Sequence, residues 1–368
     1  MRTATSNDRG QRSHGCKGQD RRGHPSPGSR LAEEVAETYD IVLSSPNSNY
    51  DFFAHRMREI CEHLGLTFFM VDDVWVQEFL QKLQSGEVQV RVLMDPGADQ
   101  YVQDDPYLLL AKEVKRQGGF VIDDPDTSAI MAHKGRFHKI LLENHIPVPE
   151  TVIVSRSELD RFKLTDEIKA QLGIPFVVKP AWGMSSQGVI LDGYSEDDLH
   201  KSAEQAPNSD SFLIQRRLKP KQLGDHSGWF RLFHVFGEVI ACWWDPQSHE
   251  YQLVSPVQQQ YFKLGRLKSI ERSIGRVSKM KFFTSEICLT EEGQFFVVDY
   301  LNAEPDMNPR SFYPNGVPDE VILRIVWLLV YYGMHFDKRR HGYFEEELDE
   351  SGVDWLERQD LALPVRRV

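Results

Sequence analysis

Cysteine is scarce in this 368-residue chain: Cys16, Cys61, Cys242 and Cys288 stand far apart, with no CxxC pair among them. Neither a zinc knuckle nor a secreted disulfide framework is indicated, so a reducing cytoplasm is the expected setting. Long apolar runs are missing as well. The greasiest stretch, Ile325 to Tyr332, follows Arg324 and falls far short of the roughly 20 residues a membrane span needs, so it reads as a buried helix. Positive charge is outweighed outside the first thirty positions. Residues 1–30 carry seven basic and two acidic side chains, which leaves a net −17 on the other 338 of a chain at −12. An acidic body is a poor partner for nucleic acid, which needs a basic face. It does not exclude ATP, whose charge Mg²⁺ and a few lysines can carry. Two glycine signatures are also absent: SSPNSN follows the first strand where GxGxxG would stand, and no GxxxxGKS/T occurs. The classical dinucleotide and P-loop routes to a phosphate are therefore closed.

What is present suits two or three lobes of a soluble globular protein. Residues 1–38 read as a disordered tail, since their first thirty positions offer only Met1, Ala4 and Cys16 as hydrophobic residues and have no apolar h-region. An Arg-rich, acid-poor start could suggest an organelle transit peptide; an untidy N-terminus is the plainer reading. From Tyr39 short strands alternate with helices: Ile41–Leu43, a helix over 51–64 closed by Gly65, Thr67–Val71, a helix over 74–83, Val90–Met94, a helix over 108–117, and Phe120–Ile122. That alternation predicts a parallel α/β lobe over 39–127. From about 128 the texture changes. A helix over 134–145 is broken by Pro147 and Pro149, and strands follow at 152–154, 176–180 and 212–218. Two hairpins come next, 229–236 with 239–244 and 282–289 with 294–300, then a helix over 320–332 and a charged extension, 336–368. The fold class expected is α/β in the first lobe and α+β in the later ones.

Three features could carry chemistry. If Leu289 pairs with Gln294 across the TEEG turn, Glu286 faces Val297 and Asp299 faces Thr284. The two carboxylates then share a sheet face as diagonal neighbours about 7–8 Å apart, with Phe283, Ile287, Phe296 and Val298 on the core side. A cation between them would relieve their repulsion, and Mg²⁺ accepts carboxylates with phosphate oxygens and water; two solvated acids on an outer face is the alternative. Lys179 ends the apolar strand FVVKP before a Gly/Ser loop whose N–H groups at Ser185, Ser186 and Gln187 could wrap a phosphate, or it is an edge lysine before an ordinary turn. Arg231, in WFRLFHV, is a phosphate or carboxylate clamp or a salt-bridged structural residue. Lys134 alone reads as a solvated helix residue, and His133, His138 and His145 read as structural.

Taken in order, these pieces resemble an ATP-grasp protein over about residues 39–332. HKGRFHKILLENHIPVPET resembles the helix of the family's first ATP-contacting lysine, and FVVKP the strand of its second; GMSSQGV resembles the loop closing over the phosphates, FLIQRRL the adenine-reading hinge, and SEICLTEEGQFFVVDYLN the metal hairpin. The resemblance implies an ATP-grasp fold with a pre-ATP-grasp lobe at 39–127, a small lobe at 128–218 and a C-terminal lobe at 219–335. It implies ATP contacts from Lys134, Lys179, Ser185, Ser186, Gln187 and Gly188, with Gln215, Arg217 and Leu218 at the hinge. Glu286, Asp299 and Asn302 would hold Mg²⁺, or Mn²⁺ in its place. Two departures stand out: Gln215 replaces the usual hinge Glu, and Asp299-Tyr-Leu-Asn302 is one residue longer than the usual Glu-x-Asn. Gln222 and Asp225 are the candidates for a ribose contact.

The chemistry implied is a ligase in which a small-molecule carboxylate attacks the γ-phosphate and an amine then displaces phosphate from the acylphosphate. Lys179 and Arg231 would serve the transfer. A kinase acting on a small hydroxylated acceptor, or a non-catalytic ATP-binding module, would use the same site. Ser44, Ser45, Asn47 and Arg310 are candidate walls of the acceptor pocket, and a homodimer is a family-level expectation.

Overall fold

The computed structural model describes residues 36–46, 50–99, 102, 104–183 and 186–338. The expected tail up to 35 and the extension from 339 lie outside the described residues. Strand β1 (Glu37–Ser44) starts two residues before Tyr39. With β2 (Phe68–Val71), β3 (Val88–Met94) and β4 (Phe120–Ile122) it forms a parallel sheet of order β2-β1-β3-β4. Its residues alternate between two cores. Val42 and Leu93 face helices α2 (Val76–Ser85) and α3 (Pro106–Arg116). Ile41, Leu43, Val92 and Met94 face α1 (Asp51–His63) and a second core described below. The helix ends follow local chemistry: Gly86 closes α2 at φ 82°, and the Asp105 carboxylate accepts from Leu108 N at the start of α3, where Pro106 takes the first turn.

Two short helices, α4 (Pro125–Met131) and α5 (Lys134–Glu143), lead into an antiparallel sheet of β5 (Thr151–Ser155), β6 (Phe176–Pro180), β7 (Ile190–Gly193) and β8 (Ser211–Arg216), ordered β5-β8-β6-β7. One face packs Phe176, Val178, Phe212 and Ile214 against α6 (Asp166–Leu172) and α7 (Glu196–Gln205). The alternation turns Val177, Lys179 and Gln215 to the other face.

A ribbon of β9 (Gln222–Leu223) and β10 (His226–Ser227) precedes the central sheet. That sheet comprises β11 (Trp229–Val235), β12 (Glu238–Trp244), β13 (Tyr251–Leu253), β14 (Phe282–Leu289) and β15 (Phe295–Asn302), in order β13-β12-β11-β14-β15. Helices α8 (Pro256–Tyr261) and α9 (Gly265–Ser278) fall in a stretch where the sequence reading placed nothing, although Leu267, Ile270 and Ile274 recur at helical spacing and all face the core. Against α9 the sheet turns Phe230, Leu232, Phe283 and Ile287; against helix α10 (Asp319–Lys338) and the first lobe it turns Phe233, Val235, Cys242 and Phe282. The Asp123 carboxylate, at the end of the first lobe, accepts from the backbone N–H groups of Lys281 and Phe282 at 2.6 and 2.8 Å, tying that lobe to the start of β14.

Two groups under the sheet are built for close packing. A Cβ on Gly275 would come within 2.2 Å of the His234 ring, so only glycine lets α9 lie this near β11. Glu271, fully buried on α9, accepts from Ser285 Oγ while its other oxygen finds no partner. Burial pushes its pKa up to about 8, against the Ser285 bond and Arg231. Because the folded value lies above the unfolded one, the stability tied to the protonated form is complete below the ordinary glutamate range and is lost as pH rises through about 8. Glu271→Gln is therefore expected to raise the melting temperature relative to wild type by an amount that grows between pH 5 and 8 and then levels off. A pH-independent difference in thermal melts would refute this.

Candidate active site

A cavity of 1010 Å³ opens between the first lobe, the small sheet and the central sheet, at the upper end of small-molecule sites. Its walls bring together Lys134, Lys179, Ser186, Gln187, Gln215, Arg217, Leu218, Glu286, Asp299 and Asn302. Of the other residues singled out, Gly188 gives its carbonyl to Ser202 Oγ and does not line the cavity. Ser185 and Asn47 lie outside the described residues. Ser44 and Ser45 are buried, Ser44 donating to Asp95, and Arg310 is exposed; none of the three reaches the cavity wall. Gln222 and Asp225 do not reach it either; the Gln222 amide turns back to the Gly224 carbonyl.

The hairpin register differs from the expected one. Leu289 pairs with Phe295, Cys288 with Phe296 and Ile287 with Val297, one residue along. Two irregularities then interrupt the ladder, so that Glu286 pairs directly with Asp299, not diagonally, and Thr284 with Asn302. Val298 is the extra residue of the first bulge, and its carbonyl accepts from Lys179 Nζ at 3.0 Å. Tyr300 and Leu301 stand against Ser285 alone in the second. That bulge absorbs the one-residue excess in Asp299-Tyr-Leu-Asn302 and returns Asn302 to the cavity wall. The slip also changes which side chains face the core: Val297 is fully buried, whereas Phe296 and Val298 are half-buried.

Arg231 stands in the same cross-strand row, paired in register with Glu286 on one side and Cys242 on the other. Its Nη1 lies 3.0 Å from Glu286 Oε1 and 3.9 Å from Asp299 Oδ2, an ion-pair approach without hydrogen-bond alignment, and its guanidinium stacks 5.0 Å from the Trp244 ring. It is not part of the cavity wall. Arg231 thus sits beneath the carboxylates as their counter-charge. Burial raises the Glu286 pKa, with Asp299 adding and Arg231 opposing; burial lowers that of Lys179, with Asp299 and Glu286 opposing. Lys134 Nζ donates to the Gly183 carbonyl at 3.2 Å at the mouth of the loop, and His133 caps α5 by accepting from Arg136 N.

The donor set fits a small hard cation. Two carboxylates and an amide oxygen lie on adjacent pairs of one ladder, and the hydroxyl of Thr284, opposite Asn302, is buried without a partner. Among the described residues no group of three or more His, Cys, Asp or Glu could enclose a metal. Such a site leaves coordination positions to phosphate oxygens and water, as Mg²⁺ sites commonly do.

Sequence reading missed the opposite wall. Asp95, Asp123, Glu304 and Asp306 line it, and the wall residues contributed by positions before 130 include no basic side chain. Burial pushes the Asp95 and Asp123 carboxyls up to about 7. The signal available was VLMDP, an acid directly after an apolar strand.

No family model matches the chain, and no curated protein matches it in sequence. Solved structures do. D-alanine–D-alanine ligase from Bacillus anthracis, complexed with ATP, is 14% identical over 84% of this chain and 100% of its own, with a TM-score of 0.59. The ATP-grasp ligase PsnB, complexed with precursor peptide PsnA2 and AMPPNP, is 15% identical over 81% and 98%, at 0.54. A RimK domain ATP-grasp protein from Sphaerobacter thermophilus is 14% identical over 80% and 98%, at 0.53. The chain has the ATP-grasp fold, as its sequence resemblance implied. No helix among the described residues is long and apolar enough to cross a membrane.

Proposed function

We propose that this chain is an ATP-dependent ligase that joins a small-molecule carboxylate to an amine through an acylphosphate. One observation carries the reading: a single cavity sets Lys134 and Lys179 beside Glu286, Asp299 and Asn302, with the hinge at one side and an acid-lined wall at the other. Lys179 and Lys134 would hold phosphate oxygens, and the N–H groups of Ser186 and Gln187 would add to them. Mg²⁺, or Mn²⁺ with the same preference for oxygen, held by Glu286, Asp299 and Asn302 would neutralise charge on the phosphates. The substrate carboxylate oxygen attacks the γ-phosphorus as ADP leaves. The amine nitrogen then attacks the acyl carbon, phosphate departs and the amine gives up a proton. An acid-lined wall suits an amine that arrives as an ammonium ion.

Hydroxylamine trapping tests this. With Mg-ATP and a pool of carboxylic acids, hydroxylamine is expected to yield a hydroxamate, with ADP and free phosphate released in equal amounts and neither formed without the acid. ATP phosphate transferred onto an alcohol, with no free phosphate, would replace the ligase by a kinase. Nucleotide binding without turnover on any pool would leave only a binding module.

A further inference from the structure

Helix α9 is basic in an acidic body. Its buried side is made of Leu267, Ile270, Ile274 and Ser278, and its one acid, Glu271, is buried with them. On the opposite side Arg266, Arg272, Arg276 and the capping Lys279 recur at helical spacing and are exposed, as is Lys263 just before the helix, while Lys268 is half-buried at the border. Among the described residues none of these six forms an ion pair. Arg272 Nε donates to the Gly237 carbonyl and Arg276 Nη2 to Ser273 Oγ, each at 2.9 Å. The helix dipole favours Arg276 and Lys279 at the C-terminal end, but it opposes Arg266 and Lys268 in the first turn. Lys268 with Arg272, and Arg272 with Arg276, are like charges four positions apart and repel. This face therefore lacks its counter-charge among the described residues.

The sequence beyond α10 holds such a charge. Residues 345–360 carry eight acidic side chains, opening with EEELDE at 345–350, against Arg358 alone. Helix α10 also ends near α9. The Phe336 ring lies 6.2 Å from that of Phe236, and Lys281 Nζ stands 5.5 Å over it. The residue after Phe236 is Gly237, whose carbonyl holds Arg272. The acidic run begins seven residues on from Lys338, a reach of roughly 23 Å for an extended chain, against roughly 21 Å for the whole length of α9.

We infer that the exposed face of α9 is the docking surface for the acidic segment 345–360 of the same chain. Its carboxylates would meet Arg266, Arg272, Arg276 and Lys279 in pairs that stay open to water and weaken with salt. Nucleic acid fits this face less well, because the body around the helix is acidic and repels phosphate. The inference holds whether or not the cavity binds a nucleotide.

Carbodiimide coupling, which joins lysine amines to carboxylates in contact, tests this on the full chain. Mass spectrometry is expected to find peptides that link Lys263, Lys268 or Lys279 to acids within 345–360 at low salt. Their yield should fall about fivefold or more at about 0.5 M salt, where charges are screened within a few ångströms. Arg272→Glu with Arg276→Glu, its folding checked by thermal melts, should cut the yield as strongly. Adding Glu346→Lys and Glu350→Lys to that variant should restore coupling between the two segments. When isotope-labelled and unlabelled copies are mixed before coupling, the links should fall within one copy. No links at low salt, links indifferent to salt and to charge reversal, or links only between copies would overturn the inference.

Discussion

Replacing Glu286 by Gln and Asp299 by Asn together is expected to weaken Mg²⁺-dependent binding of a non-hydrolysable ATP analogue at least about 100-fold. The substitutions keep the shape of both side chains and remove two negative charges from one cross-strand pair. Amide oxygens are far poorer ligands for a hard cation than carboxylates, so the loss should fall on the Mg²⁺-dependent part of the affinity. Calorimetric titration of the analogue, with and without Mg²⁺, reads this directly. A folded double variant that binds as wild type does would move the nucleotide away from this hairpin and sink the proposed function.

Arg231→Met should have the opposite signature: a large loss of stability that Mg²⁺ partly restores. The guanidinium is buried between the carboxylates and the Trp244 ring, and acts on Glu286 more strongly than the other nearby cation, Lys179. Removing one partner of a buried charge set costs about 3–5 kcal/mol, because the remaining charges are left uncompensated. For a chain of this size that lowers the melting temperature by roughly 10 °C. Protonation relieves the repulsion, so the deficit should shrink as pH falls, and added Mg²⁺ should raise the variant's melting temperature more than that of wild type. Equal melts for variant and wild type would show that Arg231 does not balance the pair.

Where alternation and turn chemistry decide local structure, the sequence was readable. The first-lobe strands, the Lys179 strand and the last hairpin all appear within a few residues of their expected positions. What it could not supply was the register of β14 with β15. The pairing starts one residue along at the turn, which misplaced Val297 and Phe296; the two bulges between Ile287 and Thr284, which leave no mark on residue type, then carry Asp299 opposite Glu286 where counting back from the turn set it opposite Thr284. Arg231 was visible, but nothing in WFRLFHV says that its strand lies beside β14, and that adjacency turns a supposed phosphate clamp into a counter-charge. The acidic wall depends on Asp95 and Glu304, more than two hundred positions apart, meeting across a cavity.

The shared core behind the first lobe bears on the order in which the chain can fold during synthesis. Ile41, Leu43, Phe53 and Met57 leave the ribosome well before Phe233, Phe282, Ile322, Ile325 and Leu329, which complete the cluster they join. The boundary that reads so plainly near residue 127 is therefore no boundary for cooperative folding: one face of the nascent α/β lobe stays open until α10 has been translated. Packing of α10 against α1 closes a loop of more than 250 residues, an entropic cost met only once α10 has emerged. Until then Ile41, Leu43, Phe53 and Met57 lack the partners that bury them in the folded chain.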